Sequence, residues 1–167
     1  MEIFRNKRLW VEEKQVELPN GVISSRVTVH PGDAVAILPI HDDKIILIRQ
    51  YRDAIGEYIY EAPAGIVDPG ETPPEAAKRE LIEETEMDTM LLMSRGFIYT
   101  TPGISDEKIW LFEARRLVPS SKFKKEDGEI IETEIVKMNE LRHMITRGVI
   151  CDAKTICLIY RCLGGFE

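Results

Sequence analysis

The strongest constraint on the fold is a change of residue pattern at Thr72, where strand-like alternation gives way to a helix. Thr72 can cap a helix, Pro73 suits its first position, and Glu75 completes an S/T-x-x-E capping box. The helix is predicted to run to about Thr85. Because alternating apolar segments precede and follow it, the pattern favours an α+β fold with helices packed on a mixed sheet.

The other elements follow from alternation and from turn residues. Strands are predicted at 9–16, 22–29, 34–40, 45–49, 58–62, 89–93, 96–101, 108–115 and 130–137. Short helices are predicted from Asn139 and from Asp152, the last one ending before Gly164. The first two strands form a hairpin of their own. We therefore divide the chain into an N-terminal β arm at 1–32, either a small appended sheet or a dimerisation element, and a main domain at 33–167.

The composition excludes several classes of protein. The 167 residues contain 22 Lys and Arg against 29 Asp and Glu, a net charge of −7, with 44% hydrophobic residues. These values are typical of a folded globular chain. The acidic balance argues against a nucleic-acid partner, because a duplex binder needs a basic face. The lysines at 122–125 are followed at once by Glu126 and Asp127, which is typical of a solvated loop.

The distribution of apolar residues and cysteines predicts a cytoplasmic protein without a membrane span. The longest apolar runs fall far short of the ~20 residues that cross a bilayer, and the first residues lack the apolar run of a secretory signal. Cys151, Cys157 and Cys162 do not have metal-ligand spacing, so we expect reduced thiols.

Three carboxylates of the predicted helix share one side of it. At about 100° per residue, Glu84 and Glu83 fall within an arc of about 100° that also contains Glu80. Like charges at this spacing destabilise a helix by a few tenths of a kcal/mol per pair, and Mg²⁺ or Mn²⁺ would offset that repulsion. A solvent-exposed acidic helix is the alternative for an isolated pair of glutamates. It explains less well a longer motif in which several positions fall in register.

That register resembles the Nudix box, G-x5-E-x7-R-E-U-x-E-E-x-G-U, in which U is apolar. The matching residues are Gly65, Glu71, Arg79, Glu80, Leu81, Glu83, Glu84 and Met87. One position differs, because Glu86 stands where the box has its final glycine. That glycine usually ends the helix in a left-handed conformation. Either Glu86 adopts that strained conformation or the helix ends differently.

The flanking segments resemble the ADP-ribose pyrophosphatase branch of that family. These segments are 49–52, 61–65, 101–107 and 152–155, and Pro102 lies fifteen residues after Met87, as a marker proline does in that branch. The resemblance covers roughly residues 25 to 163. It implies a Nudix-type α/β/α sandwich with a mixed sheet and an N-terminal β-hairpin arm. It also implies a homodimer that exchanges the arm and builds the base pocket from both subunits.

The resemblance implies hydrolysis of the pyrophosphate bond of a nucleotide sugar, with ADP-ribose giving AMP and ribose 5-phosphate. The implied ligands of Mg²⁺ or Mn²⁺ are Glu80, Glu83, Glu84 and the carbonyl of Ala64. The implied catalytic residues are Glu83, Arg79, Glu129 and Asp127, the general base being left open between the last two. The implied substrate-binding residues are Arg52, Glu61, Pro102 and Glu107. Arg79 would fix a glutamate and Arg52 would hold a phosphate.

Two other functions are compatible with the same motif. A pyrophosphatase acting on GDP-mannose or UDP-glucose would have the same box, because the metal site binds the diphosphate and does not contact the base. A non-catalytic ligand-sensing module on the same scaffold is the alternative from another class. The intact carboxylates and the lack of room for a second domain disfavour it.

Overall fold

The computed structural model describes residues 1–124 and 130–164. The strands are β1 Glu2–Arg5, β2 Trp10–Glu17, β3 Ile23–His30, β4 Ala34–His41, β5 Lys44–Arg52, β6 Glu57–Glu61, β7 Ala64–Ile66, β8 Met87–Tyr99, β9 Lys108–Pro119 and β10 Ile131–Lys137. The helices are α1 Pro73–Thr85, α2 Met138–Thr146 and α3 Ala153–Leu163. None of these three helices is long and apolar enough to cross a membrane.

The N-terminal segment forms an antiparallel sheet of its own, in the order β1-β2-β3. It contains the predicted hairpin, β2 and β3, and one strand more. The sequence pattern missed β1 because it is only four residues long and exposed throughout. This arm meets the main domain through Val29, whose N–H donates to the Ile104 carbonyl at 2.8 Å.

The main sheet has the order β10-β5-β4-β9-β8, with β6 added to β5 and β7 added to β4. The central pair β4 and β9 is parallel, and the other pairs are antiparallel. The predicted mixed sheet is therefore confirmed.

Both faces of the main sheet are covered by helices. Along β4, Val35 and Ile37 pack in the core layer that contains α1, whereas Ala36 and Leu38 pack in the layer that contains α2 and α3. A strand buried on both faces has a nearly continuous apolar sequence, which is what residues 34–40 show. The α/β/α arrangement of the α+β fold is confirmed.

Helix α1 begins and ends where the sequence predicts. The Glu75 carboxylate accepts hydrogen bonds from the N–H of Thr72 at 2.8 Å and from its hydroxyl at 2.6 Å. At the other end Glu86 has φ 57° and ψ 25°, and its N–H donates to the Ile82 carbonyl at 2.9 Å. Of the two alternatives, the structure therefore has the left-handed one, with a glutamate where glycine would be unstrained.

Strand β8 is one long strand where the sequence predicts two. The predicted gap falls at residues 94–95, where the structure has a bulge between Ser94 and Phe97 that contains Gly96 at φ 79°. A bulge adds a residue to one strand without ending the ladder. The strand is therefore continuous through the position where the two predicted strands were separated.

A charged cluster lies where β8, β9 and the end of α3 meet. Glu113 has no exposed side-chain surface and pairs with Arg95 and Arg115. Burial raises the pKa of Glu113, but the hydrogen bonds from the two arginines outweigh it, and the pKa is lowered. Beside it, burial raises the pKa of the Cys162 thiol to about 12. This cluster holds the strands and helix together away from the predicted site.

Candidate active site

Arg79 is the centre of the predicted acidic site. Its guanidinium donates to both carboxylate oxygens of Glu71 at 3.0 and 2.9 Å, to Glu80 at 2.6 Å and to Glu83 at 3.0 Å. A further N–H donates to the carbonyl of Ile66 at 2.9 Å. The hydrogen bonds to Glu71, followed by the charge of Glu80, raise the pKa of Arg79 despite its partial burial. Arg79 thus holds three glutamates where we expected one.

The loop glutamate of the motif is fixed by the same contact. Glu71 precedes the helix, and its carboxylate accepts from the Asp68 N–H at 3.2 Å besides the two bonds from Arg79. The hydrogen bonds from Arg79 lower the pKa of Glu71, and its partial burial opposes this less strongly. The charge of Glu71 therefore balances that of Arg79 and locks the loop onto α1.

Strand β7 lies directly against the helix carboxylates. The N–H of Ala64 donates to Glu84 at 2.9 Å, and the side chain of Glu84 is almost completely buried. Gly65 contacts the carboxyl group of Glu80 so closely that a Cβ at Gly65 would overlap it. A side chain at this position would therefore displace the Glu80 carboxyl group, although the φ of Gly65 itself is not in the left-handed region.

The chemistry of this donor set fits a hard divalent cation. Glu80, Glu83, Glu84 and the peptide of Ala64 are brought together where α1 meets β7, and all of them offer oxygen, which Mg²⁺ and Mn²⁺ prefer. Within residues 1–124 and 130–164, no three acidic, histidine or cysteine side chains form a ready-made metal cage. A cation bound to Glu80 and Glu83 would compete with Arg79 for their oxygens.

The site opens into a cleft of about 870 Å³ between the main domain and the arm. Glu80, Glu83 and Asp68 lie on the side of α1. The cationic residues that line the cleft are Arg5, Lys7 and Arg8 of the arm together with Arg52, Arg79 and Lys154. A cleft with both carboxylates and cations can bind a metal and a polyanion side by side.

Arg52 and Glu61, both predicted to bind substrate, are bound to each other. Arg52 donates from Nε and Nη2 to the two oxygens of Glu61 at 2.6 and 2.7 Å. Glu61 is 1% exposed and also accepts a hydrogen bond from Lys154. Burial raises its pKa, but the bonds from Arg52 and Lys154 outweigh burial and lower it. Glu61 therefore lies beneath the cationic groups, and Arg52 lies in the cleft wall.

The remaining predicted residues fall in two loops. Glu107 lines the cleft and accepts a hydrogen bond from the hydroxyl of Thr100, whereas Pro102 lies in the exposed turn between them. Asp127 and Glu129, the candidate bases, lie outside the described residues. Their roles stay predictions, as do the individual roles of the other site residues.

Lys154, Thr100 and the cations of the arm were not predicted as site residues. Lys154 belongs to the segment 152–155 that was noted for its resemblance, so a signal for it existed. It is ninety-three positions from Glu61 along the chain, and only the packing of α3 on the sheet brings the two together.

Comparison with known proteins identifies the family. The sequence model of the NUDIX domain matches residues 30–159. The chain belongs to the Nudix family. It is a Nudix hydrolase with a complete box except for Glu86. It is 38% identical over 157 residues to an ADP-ribose pyrophosphatase of Bacillus subtilis, an alignment that covers 92% of this chain and 84% of the relative.

Two further comparisons extend over nearly the whole chain. The methanol dehydrogenase activator of Bacillus methanolicus is 32% identical over 95% of this chain and 86% of its own length. The crystal structure of an ADP compounds hydrolase superposes with a TM-score of 0.87 at 26% identity, covering 98% of this chain and 89% of that chain. The fold of this Nudix hydrolase, arm included, therefore has a close structural counterpart.

Proposed function

We propose that this Nudix hydrolase cleaves the pyrophosphate bond of a nucleoside diphosphate sugar, with ADP-ribose giving AMP and ribose 5-phosphate. The observation that carries the proposal is the cluster of box carboxylates around Arg79, which opens into a cleft lined by Arg52. The names of the relatives support the substrate, because several are ADP-ribose pyrophosphatases or ADP-compound hydrolases.

The cofactor in this proposal is Mg²⁺ or Mn²⁺. The residues that would hold it are Glu80, Glu83, Glu84 and the carbonyl of Ala64. When bound, a divalent cation neutralises diphosphate charge and makes a bound water more acidic. Without the cation, hydrogen bonds from Arg79 hold the carboxylates of Glu80 and Glu83 in place. A hydrogen bond from the Ala64 N–H holds that of Glu84.

The chain's own residues bind and orient the substrate. Arg52 donates N–H groups to the diphosphate, since a guanidinium suits phosphate oxygens. Glu107 and Pro102 contact the parts of the substrate beyond the diphosphate. Hydrolysis adds a water oxygen to one phosphorus and breaks that phosphorus's bond to the bridging oxygen, which leaves with the other phosphate. Asp127 or Glu129 accepts the proton of the water.

A hydrolysis panel tests the substrate. ADP-ribose, GDP-mannose and UDP-glucose are compared at equal concentration, once with Mg²⁺ and once with Mn²⁺, and the products are separated by chromatography. We expect the highest kcat/KM with ADP-ribose and no turnover in EDTA. A higher kcat/KM with GDP-mannose or UDP-glucose would show that ADP-ribose is not the preferred substrate. No turnover of any of the three nucleotide sugars would favour the ligand-sensing alternative.

We also propose that the protein is a homodimer that pairs through the N-terminal arm, with the main domain at 33–167. The arm exposes apolar side chains that a free monomer would leave in water, namely Ile3, Phe4, Ile23 and Val27. Light scattering at micromolar concentration should give twice the 19.1 kDa mass of one chain. A single-chain mass would contradict the dimer.

The cytoplasm is the compartment we propose. Cys151, Cys157 and Cys162 are all free thiols, as is usual in a reducing compartment. Fractionation of cells expressing the protein should recover it with cytoplasmic enzymes, and recovery from a secreted fraction would contradict this.

A further inference from the structure

A second cation lies beside Arg52 at the edge of the cleft. The Nζ of Lys154 donates to the same Glu61 oxygen that accepts from Nη2 of Arg52. Two positive groups are thus held side by side by one buried carboxylate. The side chain of Lys154 is 14% exposed and lines the cleft, and that of Arg52 is 41% exposed.

Neither carboxylate near Lys154 depends on it for a partner. Glu61 already receives two hydrogen bonds from Arg52. Asp152 already caps α3, accepting from the N–H of Thr155 at 2.9 Å and from its hydroxyl. Lys154 approaches Asp152 at 3.1 Å as well. Lys154 therefore balances the charge of Asp152 without being the sole hydrogen-bond donor to either carboxylate, and its place in the cleft wall lets it meet a further anion.

Arg52 and Lys154 both have hydrogen-bond donors that Glu61 does not use. Glu61 occupies one edge of the Arg52 guanidinium, Nε and one Nη2 hydrogen, so the hydrogens of Nη1 are not used by Glu61, and Arg52 lines the cleft. An ammonium has three N–H groups; Lys154 donates one of them to Glu61 and forms an ion pair with Asp152 at 3.1 Å. The pair can therefore offer several donors at once to one anion.

We infer that Lys154 is a second phosphate-binding residue, which Glu61 holds beside Arg52 so that both bind the diphosphate of the substrate. This inference rests on the proposed function for the identity of the substrate. Glu61 fixes the two side chains and prevents their mutual repulsion from separating them. An arginine fork and a lysine point charge on neighbouring oxygens would hold the diphosphate against the carboxylates of α1.

Equilibrium binding to the full-length protein in EDTA tests the inference without turnover. The probes are ADP-ribose, inorganic pyrophosphate and adenosine, and the variants are Lys154→Met, Lys154→Arg and, as a control, the exposed Lys44→Met. For Lys154→Met we expect roughly 10- to 100-fold weaker binding of ADP-ribose and pyrophosphate, the loss of a charged hydrogen bond. Adenosine binding should not change. Lys154→Arg should retain most of the affinity, and Lys44→Met all of it.

The outcomes separate this inference from the proposed function. Unchanged anion binding by Lys154→Met, or an equal loss of adenosine binding, would overturn the inference. Failure of the unmodified protein to bind either anion would overturn it too. If the unmodified protein binds pyrophosphate but not ADP-ribose, the proposed substrate is wrong. The role of Lys154 is then decided by the effect of Lys154→Met on pyrophosphate binding alone. Melting temperatures within a few degrees of each other show that the variants are folded.

Discussion

Gly65 offers a way to move one site carboxylate without removing it. In Gly65→Ala the new methyl group would overlap the carboxyl group of Glu80, so that group must move by about 1 Å or more. A displacement of this size in a reacting constellation lowers turnover about 100-fold. We therefore expect kcat for ADP-ribose to fall at least about 100-fold.

The stability of the same variant should hardly change. Because the φ of Gly65 is not in the left-handed region, alanine fits the backbone and stabilises the fold by about 0.4–1 kcal/mol through the unfolded chain. Loss of the partly exposed Arg79–Glu80 contact, 2.6 Å in the structure, opposes this by about 0.2–1 kcal/mol. The melting temperature should therefore stay within about 4 °C.

Turnover by chromatography and melting by scanning calorimetry give the two values. Gly103→Ala is the matched control, since its Cβ would meet nothing within 4 Å and its φ is also not left-handed. That variant should keep both activity and stability. Full turnover by Gly65→Ala, or a fall in melting temperature that accounts for the lost activity, would refute the view that this glycine makes room for the carboxylate.

Three further predictions concern other parts of the molecule. Glu86→Gly should relieve a left-handed conformation that costs about 1–2 kcal/mol. The more flexible unfolded chain offsets about 0.4–1 kcal/mol of this, so calorimetry should show a melting temperature that is unchanged or higher by up to roughly 6 °C; a decrease would contradict the strain. Because the folded pKa of Glu113 lies below its ordinary 4.5, its stabilising effect is full above that pH and is lost as the pH falls through the folded value. The difference in unfolding free energy between the protein and Glu113→Gln, from urea titrations, should therefore shrink below about pH 4.5, and a constant difference would contradict the ion pairs. The partly buried Cys162, with its pKa of about 12, should react with a thiol reagent far more slowly than the exposed Cys151, and equal rates by mass spectrometry would contradict that raised pKa.

The sequence predicted best those elements whose signals are local. Helix α1 has its cap, its first-turn proline and its carboxylate arc within one short segment, and the structure has it from Pro73 to Thr85. Strand β7 was missed because three residues are too few to show alternation, although they lie against Glu80 and Glu84. The single strand β8 was predicted as two, 89–93 and 96–101, because a bulge between Ser94 and Phe97 interrupts the alternation without ending the ladder.

The site was predictable only in part, because many of its contacts join residues that are far apart in the sequence. The Nudix box includes Arg79 and its glutamates. It does not predict that one guanidinium contacts three of them, because Glu71 approaches Arg79 from a loop outside the helix. Lys154 and Glu61 are far apart in the chain, and no periodic pattern connects them. Their contact depends on how α3 packs on the main sheet, which is a property of the tertiary fold.

The most direct test of the central claim, that the α1 carboxylates support pyrophosphate hydrolysis, is the rate at which AMP forms from ADP-ribose in Mg²⁺. The unmodified protein is compared with Glu83→Gln and with Glu84→Gln, two changes that remove one charge each and keep the shape of the side chain. We expect AMP and ribose 5-phosphate from the unmodified protein, and turnover lower by about two to four decades in each folded variant. No AMP from the unmodified protein, or undiminished turnover in both variants, would contradict the account.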